Sequence, residues 1–63
     1  MTKEEQLAHL ISEISRVESM IADTRYYIET ALCLETKTIY ENNLVILSAA
    51  LSNLYRQREQ LIE

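Results

Sequence analysis

Residues 7–31, LAHLISEISRVESMIADTRYYIETA, decide the fold of this 63-residue chain. Within them Leu7, Leu10, Ile14, Val17, Ile21, Thr24, Ile28 and Ala31 recur in alternating steps of three and four. That spacing places them on one stripe of an α-helix, an a/d seam held for more than three heptads and interrupted by a single small polar residue. Ile11, Met20, Tyr27 and Leu32 flank the stripe. The pattern specifies a long amphipathic helix that buries one side against another helix. Upstream, Thr2 with Glu5 three positions later reads as a capping box, in which each side chain accepts an otherwise orphaned backbone N–H.

A second seam follows: Tyr40, Leu44, Leu47, Leu51, Leu54, Arg58 and Leu61. Continuing the first register past Ala31 selects Glu35, Thr38, Asn42 and Val45 instead, which are mostly polar. The two registers do not join, so the helix must break between them. Thr38 with Glu41 repeats the capping-box spacing and predicts a new helix start at 38. The sequence thus predicts one all-α domain over 1–63, an antiparallel hairpin with helices over 3–33 and 38–62 and a turn near 33–37. At 1.5 Å per residue the helices would be roughly 46 and 37 Å long, with the first overhanging the second.

Composition narrows the alternatives. The chain has no Gly and no Pro, so folds needing several special backbone conformations, such as β-sandwiches and doubly wound α/β domains, are excluded. A turn built without Gly is expected to stay in ordinary backbone regions. One cysteine, Cys33, cannot close an internal disulfide, which fits a reducing cytoplasm. The opening residues resemble no signal peptide, and the longest apolar run, Leu44 to Leu47, is far short of the ~20 residues that span a bilayer. The net charge of −4 falls entirely on residues 1–35, while 36–63 balance. No basic patch suits phosphates, so neither nucleic acid nor an anionic membrane is an expected partner.

Catalytic and cofactor signatures are absent. No Gly means no phosphate-cradling loop and no dinucleotide fingerprint. Glu5, His9 and Glu13 share a helical face, but no second helix supplies a matching ligand, so a solvated polar face is expected and no metal is assigned. His9 and Cys33 stand roughly 36 Å apart along one predicted helix, which rules out a thiol–imidazole pair. Cys33 is expected to be a small, partly buried residue at the helix end. The chain is read as a non-enzyme without cofactors.

Surfaces carry more information. A chain of 7.4 kDa exposes about 10,700 Å² unfolded and about 4,200 Å² when compact, and two helices lying side by side are less compact than that. In the second helix Val45, Ile46, Ala49 and Ala50 lie off the seam, making its middle apolar around most of its circumference. Small residues, including Ser48 and Ser52, would let another helix approach closely. Tyr26 is expected on the far side of the first helix and Tyr55 beside the second seam, both candidate contacts. The expectation is a hairpin completed by a partner or by dimerisation.

The run Tyr40-Glu-Asn-Asn43-Leu44-Val-Ile-Leu47-Ser-Ala49-Ala50-Leu51 resembles the second helix of the small YscE-type co-chaperones of bacterial type III secretion. The two-helix plan and the length are similar as well, whereas the first helix matches only as an amphipathic helix. The resemblance implies a cytoplasmic bacterial virulence chaperone. Such a hairpin would bind a helical-repeat, tetratricopeptide-like chaperone and help keep the needle subunit soluble and monomeric before export. It implies partner contacts from Tyr40, Leu44, Leu47, Ala50, Leu51 and Tyr55. The alternative reading is a homodimeric four-helix-bundle adaptor or regulator. A likeness to the plasmid RNA-modulating Rop hairpins ends at Lys3, since this first helix is acidic where that family needs bases.

Overall fold

The computed structural model describes residues 2–62 as two helices, α1 (Lys3–Thr30) and α2 (Leu34–Ile62). They pair side by side as an antiparallel hairpin with extents of 47 × 14 × 14 Å. Near the turn Tyr27 of α1 stacks on Tyr40 of α2, with ring centroids 5.3 Å apart. At the open end Leu10 shares a groove with Gln57 and Leu61.

Both seams are used. Leu10, Ile14, Val17, Ile21 and Thr24 are buried, and Leu7, Ile28 and Ala31 are half-buried at the ends of the same stripe. Every α2 seam position from Tyr40 to Leu61 is half-buried. The polar member of the α1 seam is accommodated locally: the Thr24 hydroxyl donates to the Met20 carbonyl at 2.8 Å, so its burial strands no polar atom. Arg58 keeps its seam position by laying its guanidinium over the Tyr55 ring, 5.1 Å from the centroid. Its stem thereby covers apolar surface while its charge remains near water.

The N-terminus of α1 is capped at the expected residue. The Glu5 N–H donates to Thr2 Oγ1 at 3.1 Å and the Gln6 N–H to the Thr2 carbonyl at 3.0 Å. The reciprocal half differs from the expected box, because the Glu5 carboxylate accepts from the Thr2 hydroxyl itself at 3.2 Å.

The turn is shorter and earlier than the sequence predicts. α1 ends at Thr30, not 33, and α2 begins at Leu34, not 38, leaving Ala31, Leu32 and Cys33 as the link. The Thr30 hydroxyl donates back to the Tyr26 carbonyl at 3.0 Å, and the Ala31 N–H closes the last turn on the Ile28 carbonyl at 3.4 Å. Ala31 then turns extended, at φ −64° and ψ 131°. Cys33 opens α2, its carbonyl accepting the Lys37 N–H at 3.1 Å. The Thr38 spacing misleads because a threonine inside a helix has another outlet: its hydroxyl donates back to the Leu34 carbonyl at 2.9 Å. With 28 and 29 residues the helices are matched in length, and the expected overhang of the first does not occur. No described residue has a positive φ, as expected of a turn made without glycine.

Candidate protein-docking surface

One helix is covered far better than the other. α1 supplies every buried residue among those described, and α2 has none in its 29 positions. The chain exposes 4958 Å², roughly 750 Å² more than the ~4,200 Å² of a compact chain of this mass. The surplus includes Ile39, Val45 and Ile46 on α2, and Leu32 and Leu34 at the turn.

The residues that the YscE-type resemblance implicates divide between two environments. Tyr40, Leu44, Leu47 and Leu51 are half-buried in the seam facing α1, and Tyr55 is half-buried beside Arg58. Ala50 is exposed. Tyr26 is exposed, with its ring edge-on to Tyr27 at 5.9 Å.

Four of the exposed large apolar residues, Met20, Tyr27, Ile39 and Ile46, gather on one side of the hairpin, whereas Ile11, Tyr26, Leu32, Leu34, Val45 and Ile62 lie elsewhere. Ile39, Asn43, Ile46 and Ala50 follow one strip of α2 in steps of four, three and four, and Met20 and Tyr27, two turns apart, face them from α1. Between the helices lies a groove of about 350 Å³, bounded by Met20, Asp23, Thr24 and Tyr27 on one wall and Tyr40, Asn43, Ile46 and Leu47 on the other. Met20, Tyr27, Ile39 and Ile46 remain 43%, 48%, 59% and 66% exposed, so the strip is apolar and uncovered. Sequence reading named Met20 and Tyr27 only as flanks of a seam and Ile46 only as off-seam. Their seven-residue spacing was available, but which α2 strip they face depends on how the helices are paired.

The opposite side is mixed, with Ile11 in line with Glu18 and Arg25 on α1, and Val45 in line with Ser48 and Ser52 on α2. Glu18, Ala22 and Arg25 of α1 there line a second groove with Ser48 and Ser52 of α2, with Ile21 and Leu51 at its floor. Tyr55 belongs to this side electrostatically: partial burial first, and the Glu18 carboxylate next, push its phenol above the ordinary range.

Two polar features stand apart. Glu13, which shares a helical face with Glu5 and His9, holds Arg16 at 2.8 Å, and among the described residues no group of three or more His, Cys, Asp or Glu gathers around a common point. Cys33 is exposed at the turn, not partly buried as expected, because it belongs to the link and not to the end of α1. Its Sγ lies 3.0 Å from Thr36 Oγ1, and a hydrogen bond from that hydroxyl is the main reason the thiol sits below its ordinary range. The thiolate–hydroxyl interaction therefore adds stability above the ordinary thiol pKa and loses it as pH falls through the lowered value. Thr36→Val keeps the side chain's shape and removes the donor. It is expected to move the pH midpoint of Cys33 alkylation upward, and an unchanged midpoint would exclude Thr36 as the cause.

No described helix is long and apolar enough to cross a membrane. No protein-family model, curated protein or solved structure matches the chain.

Proposed function

We propose that this hairpin is a non-enzymatic docking module of the bacterial cytoplasm. In this reading it is a co-chaperone that stabilises a helical-repeat chaperone and helps hold a type III secretion needle subunit soluble and monomeric before export. The observation that carries the docking role is the absence of any buried residue in α2. A long apolar helix left half-covered by its own chain is stabilised by whatever covers the rest, and it stabilises that partner in turn by mass action. The specific partner class rests on the resemblance of the Tyr40–Leu51 run. A filament subunit carries an amphipathic helix that self-assembles unless occupied, and a helical-repeat groove supported by a small hairpin is a physically coherent way to occupy it.

The test is co-expression of the full chain with candidate helical-repeat chaperones and needle subunits, followed by size-exclusion chromatography. The expected result is a co-eluting heteromeric complex in which the needle subunit stays monomeric. Separate elution of all three chains would dispose of the co-chaperone reading.

A further inference from the structure

We infer that Tyr27 and Tyr40 form a coupling site for one-electron oxidants, at which peroxidase-activated hydrogen peroxide joins their rings carbon to carbon and staples α1 to α2 beside the link. Both rings belong to this chain, so the site needs no partner and stands apart from the co-chaperone role. Tyr27 stacks on Tyr40 with centroids 5.3 Å apart and planes 24° from parallel. Phenoxyl radicals couple through p orbitals that stand perpendicular to the ring. Facing rings therefore present the reacting lobes to each other. Tyr26 lies nearly as close to Tyr27, at 5.9 Å, but meets it edge-on at 64°, so one ring offers its face and the other its edge. Tyr55 lies far along α2, beside Arg58. Of the four tyrosines, the pair arranged to couple is the one that bridges the two helices.

Access is open at the same place. Tyr27 is 48% exposed and Tyr40 half-buried, and both line the groove that holds Met20 and Asp23. Each phenol gives up one electron and its hydroxyl proton, and hydrogen peroxide takes up both electrons and both protons to become two waters. The two radicals join at ring carbons next to the phenol oxygens. The hydrogens on those carbons then shift to the oxygens and restore both phenols, so the chain loses two hydrogen atoms in all. Coupling within the chain needs only a small slide of stacked rings, whereas coupling between chains needs an encounter. The new bond closes a loop over residues 28–39, which contains the whole link. Like a disulfide, it restricts the unfolded chain more than the folded one.

Peroxidase with limiting hydrogen peroxide, applied to the dilute full chain, tests this, followed by thiol reduction to undo disulfides through Cys33. The expected product is a monomer in denaturing electrophoresis, lighter by two hydrogens, with the blue fluorescence of linked tyrosines. Its yield per chain should not change with protein concentration. Trypsin cuts after Arg25, Lys37 and Arg56, so the product should give residues 26–37 joined to 38–56, with fragmentation placing the bond between Tyr27 and Tyr40. The coupled hairpin should melt about 10 °C or more above the unreacted one. Tyr27→Phe and Tyr40→Phe keep the rings and remove a phenol, and each should lose the intrachain product. Tyr26→Phe and Tyr55→Phe should keep it. Met20, in the same groove, takes up oxygen as a sulfoxide, and the gain in mass tells that product apart.

No intrachain bond under conditions that couple free tyrosine overturns the proposal, as does coupling found only between chains. An intrachain bond that runs through Tyr26 or Tyr55, or that survives both Tyr27→Phe and Tyr40→Phe, overturns it equally. If either of those variants loses far-UV helicity, the bond mapped in the wild type decides: Tyr27 to Tyr40 supports the proposal, and any other pair overturns it.

Discussion

Ile14→Asp is expected to abolish the folded hairpin at neutral pH. Ile14 is 4% exposed at the centre of the buried α1 stripe, with Leu10, Val17 and Ile21 around it. Truncation to Ala alone would cost about 2–5 kcal/mol through lost contacts and an unfilled space. A carboxylate there loses the same contacts and is also desolvated without a partner, adding several kcal/mol. A domain of this size has only about 3–9 kcal/mol in total at 0.05–0.15 kcal/mol per residue, so the variant has nothing left. The pH dependence separates the two causes. Burial raises the introduced carboxyl's pKa in the folded state above its unfolded value, so the folded state binds the extra proton and its stability falls as pH rises through that range. Far-UV helicity of Ile14→Asp should therefore recover partly on acidification, while Ile14→Ala shows no such recovery. Full helicity at pH 7 would mean that this stripe is not the core.

Leu51→Asp and Ala50→Arg, one residue apart, are expected to differ sharply. A step of one residue turns a helix by about 100°. Leu51 is half-buried and floors the groove that Ile21 and Ala22 share from α1, whereas Ala50 is exposed on the apolar strip. Leu51→Asp removes seam contacts and sets a carboxylate among them, in a groove that already holds Glu18 as well as Arg25. A loss of roughly 2–3 kcal/mol follows, lowering the melting temperature by about 10–20 °C for a domain of this size. Ala50→Arg should leave the hairpin itself intact. Thermal melts followed by circular dichroism decide this, and equal effects of the two changes would mean that α2 is rotated from the orientation described. Leu51→Asp is accordingly a poor probe of partner binding, because it loses a partner by loosening the hairpin.

The seams were legible because a heptad pattern is local. Each residue's angular position follows from helical geometry alone, and Leu10, Ile14, Val17 and Ile21 are buried where the alternation of threes and fours put them. The helix boundary was less legible, because Thr-x-x-Glu at 38–41 has the spacing of a cap but a mid-helix threonine can bond the carbonyl four residues back. Leu34 to Lys37 joined α2 instead, and the link shrank to three residues.

Sequence by itself determined two amphipathic helices, their seams, the need for one break and the surplus of apolar side chains on the second helix. Tertiary structure alone decided where the break falls, and with it which residues stand level across the hairpin. The three-residue link sets Tyr27 against Tyr40 and brings Met20 beside Ile46 across one groove. Helical periodicity assigns a residue to a face of its own helix. Only the pairing of two helices, set by link length and by the rotation that buries both seams, assembles those faces into one apolar surface.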